Sequence, residues 1–232
     1  MQAQQGAGSA ANFTDLRRTA VECQIRPFGV TDQHILASFL EIPREKFVPA
    51  GFESVAYADT ELTHPLAAGG AGRAMLMPLV LARLLQAAEI TPQDRVLDVA
   101  GAAGYTAAVL SGMSGAIVAL ESDEALSKAA AANFESLGLT NVTALCGPLT
   151  EAGAAKGPYD VIIVNGAAKD GLDRLIAQLA PGGRMVLLKP HAYSASRAFV
   201  LRKDGSTISE RALFEASGKL IPEFVAAPAF VF

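Results

Sequence analysis

Tryptophan is missing from this 232-residue chain, and aromatic residues make up only 6% of it. Its core must be built from aliphatic and small side chains, a composition suited to helices packed closely on a sheet. Cysteine is scarce. Cys23 and Cys146 lie far apart and in no metal-like spacing, which excludes a C-x-x-C pair or a disulfide framework and fits the reduced thiols of a cytoplasmic protein. Charge is sparse at 18%, and 19 Lys and Arg against 23 Asp and Glu leave a net charge of −4. Without a basic excess to meet phosphates, nucleic acid is not an expected partner. Long apolar runs are lacking too. Residues 75–88 carry Arg83 and fall short of the ~20 residues of a membrane span. Residues 1–11 are small and polar, with no basic region leading into an apolar one, so they do not read as a signal peptide. The expectation is a soluble, cytoplasmic protein with no membrane partner, flexible over residues 1–12.

Apolar residues are plentiful, at 51%, which excludes a disordered chain. The length suits one large domain or a domain with an appendage. Residues 13–90 read as a helical cap. Asn12 or Thr14 could cap a helix reaching Cys23, and Arg26-Pro27-Phe28-Gly29 breaks it. Thr31 would cap a second helix with Ile35, Leu36, Phe39 and Leu40 on one face. Residues 60–72 form a Gly/Pro-containing loop, and Pro78 starts a helix to about Ala88. From residue 91 to 232 apolar strands alternate with helices. Strands are expected at 95–100, 116–121, 142–146, 161–164 and 184–188, with helices at 105–113, 123–137 and 171–179. Runs 197–201 and 207–213 flank an Asp204-Gly205 turn and read as a hairpin. Continuous apolar strands between helices mean a doubly wound, mostly parallel α/β sheet covered on both faces. Counting the hairpin, it has seven strands.

The first strand, turn and helix of that core carry the chemistry. Asp98-Val99-Ala100-Gly101-Ala102-Ala103-Gly104 joins small residues, which let the backbone approach a nucleoside, to the free N–H groups of a helix start. Glu121 ends the next strand, twenty positions after Gly101. A carboxylate there can accept hydrogen bonds from both ribose hydroxyls. A nicotinamide dinucleotide and S-adenosyl-L-methionine compete for this layout. The second has no pyrophosphate to cradle and tolerates a looser turn. The terminal hairpin, the fourth strand Tyr159-Asp160-Val161-Ile162-Ile163-Val164-Asn165 and the turn Pro181-Gly182-Gly183-Arg184 favour it, because they look like the Rossmann-like fold of class I methyltransferases.

From about Phe13 onward the chain resembles the protein-L-isoaspartate O-methyltransferase family. The most specific segments are Val30-Thr31-Asp32, Ile42-Pro43-Arg44-Glu45-Lys46-Phe47-Val48-Pro49 and Ala56-Tyr57-Ala58-Asp59. Gly72-Arg73-Ala74-Met75-Leu76-Met77-Pro78 stands where the family has Gly-Gln-Thr-Ile-Ser-x-Pro. The resemblance implies methylation of the carboxyl of L-isoaspartyl residues in damaged proteins or peptides, with S-adenosyl-L-methionine as donor, S-adenosyl-L-homocysteine as product and no metal. The chain would act as a monomer or homodimer. It implies a donor site of Asp98, Ala100, Gly101, Ala102, Gly104, Glu121, Ser122, Cys146 and Gly147, with Leu145 beside them and Asn165 and Gly166 bordering the methyl-transfer chamber. Thr60 and Leu76 take the catalytic positions, Leu76 standing in for the family serine. His64, Gly72, Met75 and Met77 fall on the acceptor side, although core packing is the simpler role for the two methionines.

Three positions depart from the family pattern. Its Gly-x-Gly-x-Gly turn is Ala100-Gly101-Ala102-Ala103-Gly104 here, so any positive φ at an alanine carries strain. The leucine side chain at position 76 cannot hydrogen-bond. The family's Gly-Asp-Gly, whose aspartate reads the adenine amine, is Gly147-Pro148-Leu149, with Thr150 or Glu151 as the nearest substitutes. Two readings therefore stay open. One is an isoaspartyl methyltransferase, with weak activity or an altered acceptor allowed. The other is a catalytically silent methyltransferase fold used as a binding module.

Overall fold

A computed structural model describes residues 5–151, 153–191 and 194–225. Helix α1 (Gln5–Ala20) continues through a π turn (Val21–Ile25) into a 3-10 turn (Arg26–Phe28). It starts before Asn12 and Thr14, so neither caps it, and residues 5–12 belong to it. Gly29, at φ +88°, closes the segment. Helix α2 (Gln33–Glu41) is capped by Asp32 and not by Thr31. The Asp32 carboxylate accepts from the N–H groups of His34 (2.8 Å) and Ile35 (3.3 Å), which satisfies two of the helix's free donors. The expected loop over residues 60–72 carries a ribbon at its ends. β1 (Leu62–His64) runs antiparallel to β2 (Arg73–Met75), with His64 opposite Arg73. Gly72 permits this closure, because a Cβ there would lie 2.4 Å from Thr63 Cγ2 and 2.6 Å from the His64 carbonyl. Helix α3 (Pro78–Ala88) starts on its proline, as expected.

The core alternates as the sequence pattern requires: β3 (Arg95–Val99), α4 (Tyr105–Leu110), β4 (Ala116–Glu121), α5 (Glu124–Ser136), β5 (Val142–Cys146), β6 (Tyr159–Ala167), α6 (Leu172–Ala177), β7 (Leu179–His191), β8 (Ser194–Asp204) and β9 (Thr207–Glu215). The sheet order is β5-β4-β3-β6-β7-β8-β9. Strands β3 to β7 pair in parallel, and β8 is antiparallel to both β7 and β9. The chain winds outward from β3 through β4 to β5, then returns to the other side of β3 as β6. Ligands of open α/β sheets bind at the carboxyl ends of the strands at such a reversal. Among the described residues no helix is long and apolar enough to cross a membrane.

Strand alternation decides which side chains meet there. Leu97, Val99, Val118, Leu120, Ile162 and Val164 enter one apolar cluster. Val96, Ile117, Ala119, Val161 and Ile163 enter the other, which contains the N-terminal helices and α3. Successive strand side chains point to opposite faces, so Asp98, Glu121 and Asn165 share the second face, at the strand ends. The N-terminal segment that covers this face is pinned by Arg44, which is 1% exposed. Its Nε donates to the Ala56 carbonyl at 2.9 Å, its Nη2 to the Leu76 carbonyl at 2.8 Å, and its guanidinium lies 4.8 Å from the Tyr105 ring centroid. Arg44→Met keeps the bulk but leaves two buried carbonyls unpaired, at roughly 1–3 kcal/mol each before the relief of removing a buried charge. We expect a net loss of about 2 kcal/mol in urea denaturation. Arg26→Ala, at an exposed ion pair with Glu22, should change stability by less than about 1 kcal/mol.

Candidate active site

The turn after β3 is held in a left-handed conformation at alternate positions. Ala100 has φ +60°, Ala102 φ +53° and Gly104 φ +92°. These are the three positions at which the related pattern has glycine, so both alanines carry the expected strain, of about 1 kcal/mol or more each. Backbone bonds hold the turn: Ala100 N–H donates to the Leu120 carbonyl (2.9 Å) and Gly104 N–H to that of Gly101 (3.0 Å). Gly101 must lack a side chain, since a Cβ would sit 2.5 Å from Asp98 Oδ2. At Gly104 a Cβ would lie 2.6 Å from the Phe134 ring.

Asp98 is fully buried. Its Oδ1 accepts from Asn165 Nδ2 at 2.6 Å, and its Oδ2 has no partner. Asn165 also donates to the Val99 carbonyl and accepts from Thr106 Oγ1 at 2.6 Å. Burial pushes the Asp98 carboxyl up to about 7, against the opposing Asn165 bond and with help from the Glu121 charge.

Glu121 is 3% exposed, and its oxygens are fully engaged by the protein. They accept from the N–H groups of Ser122 (2.8 Å), Asp123 (3.3 Å) and Ala102 (3.2 Å). They also accept from Arg73, whose Nε lies 3.1 Å from both oxygens and whose Nη2 lies 2.9 Å from Oε1. Arg73, 1% exposed, reaches in from β2. Its Nη2 also donates to Ser122 Oγ (2.8 Å) and Glu223 Oε1 (2.7 Å), and its Nη1 to Glu223 Oε2 (3.3 Å). Burial lowers the Arg73 pKa, but Glu223 and Glu121 outweigh it and the net direction is up. Burial raises that of Glu223, and Arg73 and Ser122 bring it below the usual carboxylate range.

The strand ends thus bring together Asp98, Ala100, Gly101, Ala102, Gly104, Glu121, Ser122 and Asn165. The other expected site residues sit differently. Cys146 is exposed at the end of edge strand β5, where its Sγ faces the Ser122 carbonyl, and Leu145 is half-buried. Gly147 donates its N–H to the Glu121 carbonyl. Pro148 is exposed, Leu149 packs into the core, and Glu151 turns away to pair with Arg174. Gly166, expected at the chamber wall, is covered: a Cβ there would meet Ile221 Cγ1 at 2.8 Å and the Lys219 carbonyl at 2.9 Å. Thr60 is exposed. Leu76 and Met75 are core residues, and half-buried Met77 packs against the same cluster, so the packing role of the methionines holds. His64 is 6% exposed with Nε2 unpartnered, and burial lowers its pKa. Arg73 and Glu223 are absent from the expected site. The one sequence signal was an arginine where the related motif has glutamine.

The family model for protein-L-isoaspartate(D-aspartate) O-methyltransferase matches residues 17–214. The chain belongs to this family. It is 38% identical to the protein-L-isoaspartate O-methyltransferase of Koribacter versatilis over 171 residues, 74% of this chain and 75% of that one. It is 36% identical to that of Roseiflexus castenholzii over 197 residues, 85% and 87% of the two chains. A solved protein-L-isoaspartate O-methyltransferase superposes with a TM-score of 0.78 at 27% identity, covering 88% of this chain and 65% of that one. A Plasmodium falciparum structure in complex with S-adenosyl-L-homocysteine matches in fold, with a TM-score of 0.72 at 17% identity over 91% and 98% of the chains.

Two features fit the family's methyl donor: the unpartnered buried Oδ2 of Asp98 and the side-chain-free cradle at Gly101. Glu121 has the right place and chemistry for ribose hydroxyls, but Arg73 holds it. The Asp98 shift has a measurable consequence. Between about pH 4, where an unfolded aspartate ionises, and about 7, where the folded one does, the folded state binds more protons. Stability from this group is therefore greatest below about pH 4 and is lost as pH rises to about 7. Asn mimics the protonated acid, so Asp98→Asn should gain stability relative to wild type from pH 4 to 7. Urea denaturation across this range checks it, and a pH-independent difference would contradict the assignment.

Proposed function

We propose that this chain transfers a methyl group from S-adenosyl-L-methionine to the free carboxylate of L-isoaspartyl residues in damaged proteins and peptides. The observation that carries the reading is the turn between Asp98 and Gly104, set beside Glu121 at the sheet's reversal point, in a chain that belongs to the family. When bound, the donor supplies a sulfonium methyl that passes to a carboxylate oxygen, leaving S-adenosyl-L-homocysteine and a methyl ester. The acceptor carboxylate is ionised at neutral pH, so no strong general base is required of the chain. What its residues must contribute is orientation and exclusion of water.

In this reading Asp98 and the Gly101 cradle hold the amino-acid end of the donor, and Glu121 takes the ribose once free of Arg73. Asn165 fixes Asp98 rather than touching the reacting atoms. Leu76 presents no polar atom from its side chain, so orientation of the acceptor falls to backbone groups of the segment that Arg44 holds. The absence of a reading group at Pro148 leaves the adenine to shape and backbone contacts along Gly147. The acidic net charge supports action on protein and peptide substrates rather than nucleic acid; in this reading the action takes place in the cytoplasm, by a monomer or homodimer.

The test is transfer of a radiolabelled methyl group to an isoaspartyl peptide, with the aspartyl isomer as control. We expect base-labile label on the isoaspartyl peptide alone. Label on neither peptide, at donor concentrations shown by calorimetry to saturate the protein, would refute the acceptor assignment.

A further inference from the structure

The most heavily engaged group at the strand ends is Glu121, and its partner comes from outside the strand–turn–helix unit. We propose that Arg73 is an internal occupant of the ribose subsite. Its pairing with Glu121 and the binding of the methyl donor exclude one another, so Arg73 and Glu223 set donor affinity. This inference rests on the reading of the site given above and deepens it.

Three observations carry it. First, the oxygens a ribose would need are taken: Arg73 Nε lies 3.1 Å from each Glu121 oxygen, and three backbone N–H groups use the remaining directions. A carboxylate offers about four lone-pair sites, and these five contacts already exceed them, so a ribose hydroxyl finds a free site on Glu121 only when Arg73 leaves. Second, Arg73 is clamped from its far side. Glu223 receives both Nη atoms and also accepts from Ser122 Oγ at 2.7 Å, tying the end of β4 to the chain near its C-terminal end. Third, that segment has its own anchors over the end of β6. Ala167 N–H donates to the Lys219 carbonyl (2.8 Å) and Ile221 N–H to that of Ala167 (2.9 Å), while Lys219 N–H donates to Glu61 (2.9 Å) beside β1. Ribbon and C-terminal segment close over the strand ends together, and Arg73 is where they meet. A guanidinium with its donors met by two carboxylates and a hydroxyl is a defined closed state rather than a loosely filled gap.

Calorimetry with S-adenosyl-L-homocysteine on the full-length wild type, Arg73→Gln and Glu223→Gln tests this. Arg73→Gln removes the occupant and leaves Glu121 in place. Glu223→Gln keeps the Arg73–Glu121 pair but loosens its far clamp, and it guards against misfolding of the first variant, which faces two carboxylates. The expected result is affinity raised at least tenfold in Arg73→Gln and by an intermediate factor in Glu223→Gln. Both should have a lower melting temperature than wild type without ligand and a larger ligand-induced rise. Equal affinity in all three proteins would overturn the role of Arg73 while leaving the donor reading standing. Weaker binding in Arg73→Gln would overturn it by making Arg73 a donor contact. No heat from any of the three at millimolar ligand would overturn this inference and the donor reading together.

Discussion

The ion pair between Arg73 and Glu121 is the constraint around which the functional end of this molecule is arranged. Both partners are almost wholly buried. Removing two charges from water costs several kcal/mol each, and the attraction between them offsets that only when the remaining donors and lone pairs are also met. Here they are met from four separate pieces of chain: the β3–α4 turn through Ala102, the end of β4 through Ser122 and Asp123, ribbon β1–β2 through Arg73, and the C-terminal segment through Glu223. None of the four can move far without stranding a charge, and breaking such a pair from one side typically costs about 3–5 kcal/mol.

That constraint gives a physical setting for the alanines in the turn. Ala100 and Ala102 adopt left-handed conformations that glycine would take without strain, yet the turn keeps its shape. The Ala102 N–H is directed onto the Glu121 carboxylate, so the strained residue belongs to the same network. Beneath it, Asp98 is held by Asn165 through Oδ1, while its Oδ2 lies beside Gly101, where a Cβ would come within 2.5 Å. Glu121 and Asp98 are also coupled through charge, since the first raises the pKa of the second.

The sheet was legible in the sequence because parallel strands covered on both faces read as unbroken apolar runs. Val142–Cys146 matches its strand residue for residue, and Tyr159–Ala167 and Leu179–His191 extend past both expected ends into stretches where Asp160, Asn165, Pro181-Gly182-Gly183 and Lys189-Pro190 break the apolar run. Asp98 and Glu121 were legible because strand ends are where α/β sheets bind ligands. The ribbon was not. Strands of three residues inside a glycine-rich loop have no period to detect, and pairing of Leu62 with Met75 depends on Gly72. The cap at Asp32 rather than Thr31 turned on one residue of register. Arg73 and Glu223 are 150 positions apart in the chain, and no local pattern joins them. An arginine in a Gly/Ala-rich loop reads as a solvated charge until the fold shows two carboxylates around it.

The central claim is that Arg73 and the methyl donor cannot occupy the Glu121 carboxylate together. NMR of the Arg73 Nε–H, assigned by its loss in Arg73→Gln, measures this directly. A buried, carboxylate-bound guanidinium should give a slowly exchanging, downfield-shifted signal in the free protein. On titration with S-adenosyl-L-homocysteine the account predicts that this signal disappears in step with the bound fraction, as Arg73 moves to solvent. A signal that persists unshifted while the ligand saturates the protein would contradict it.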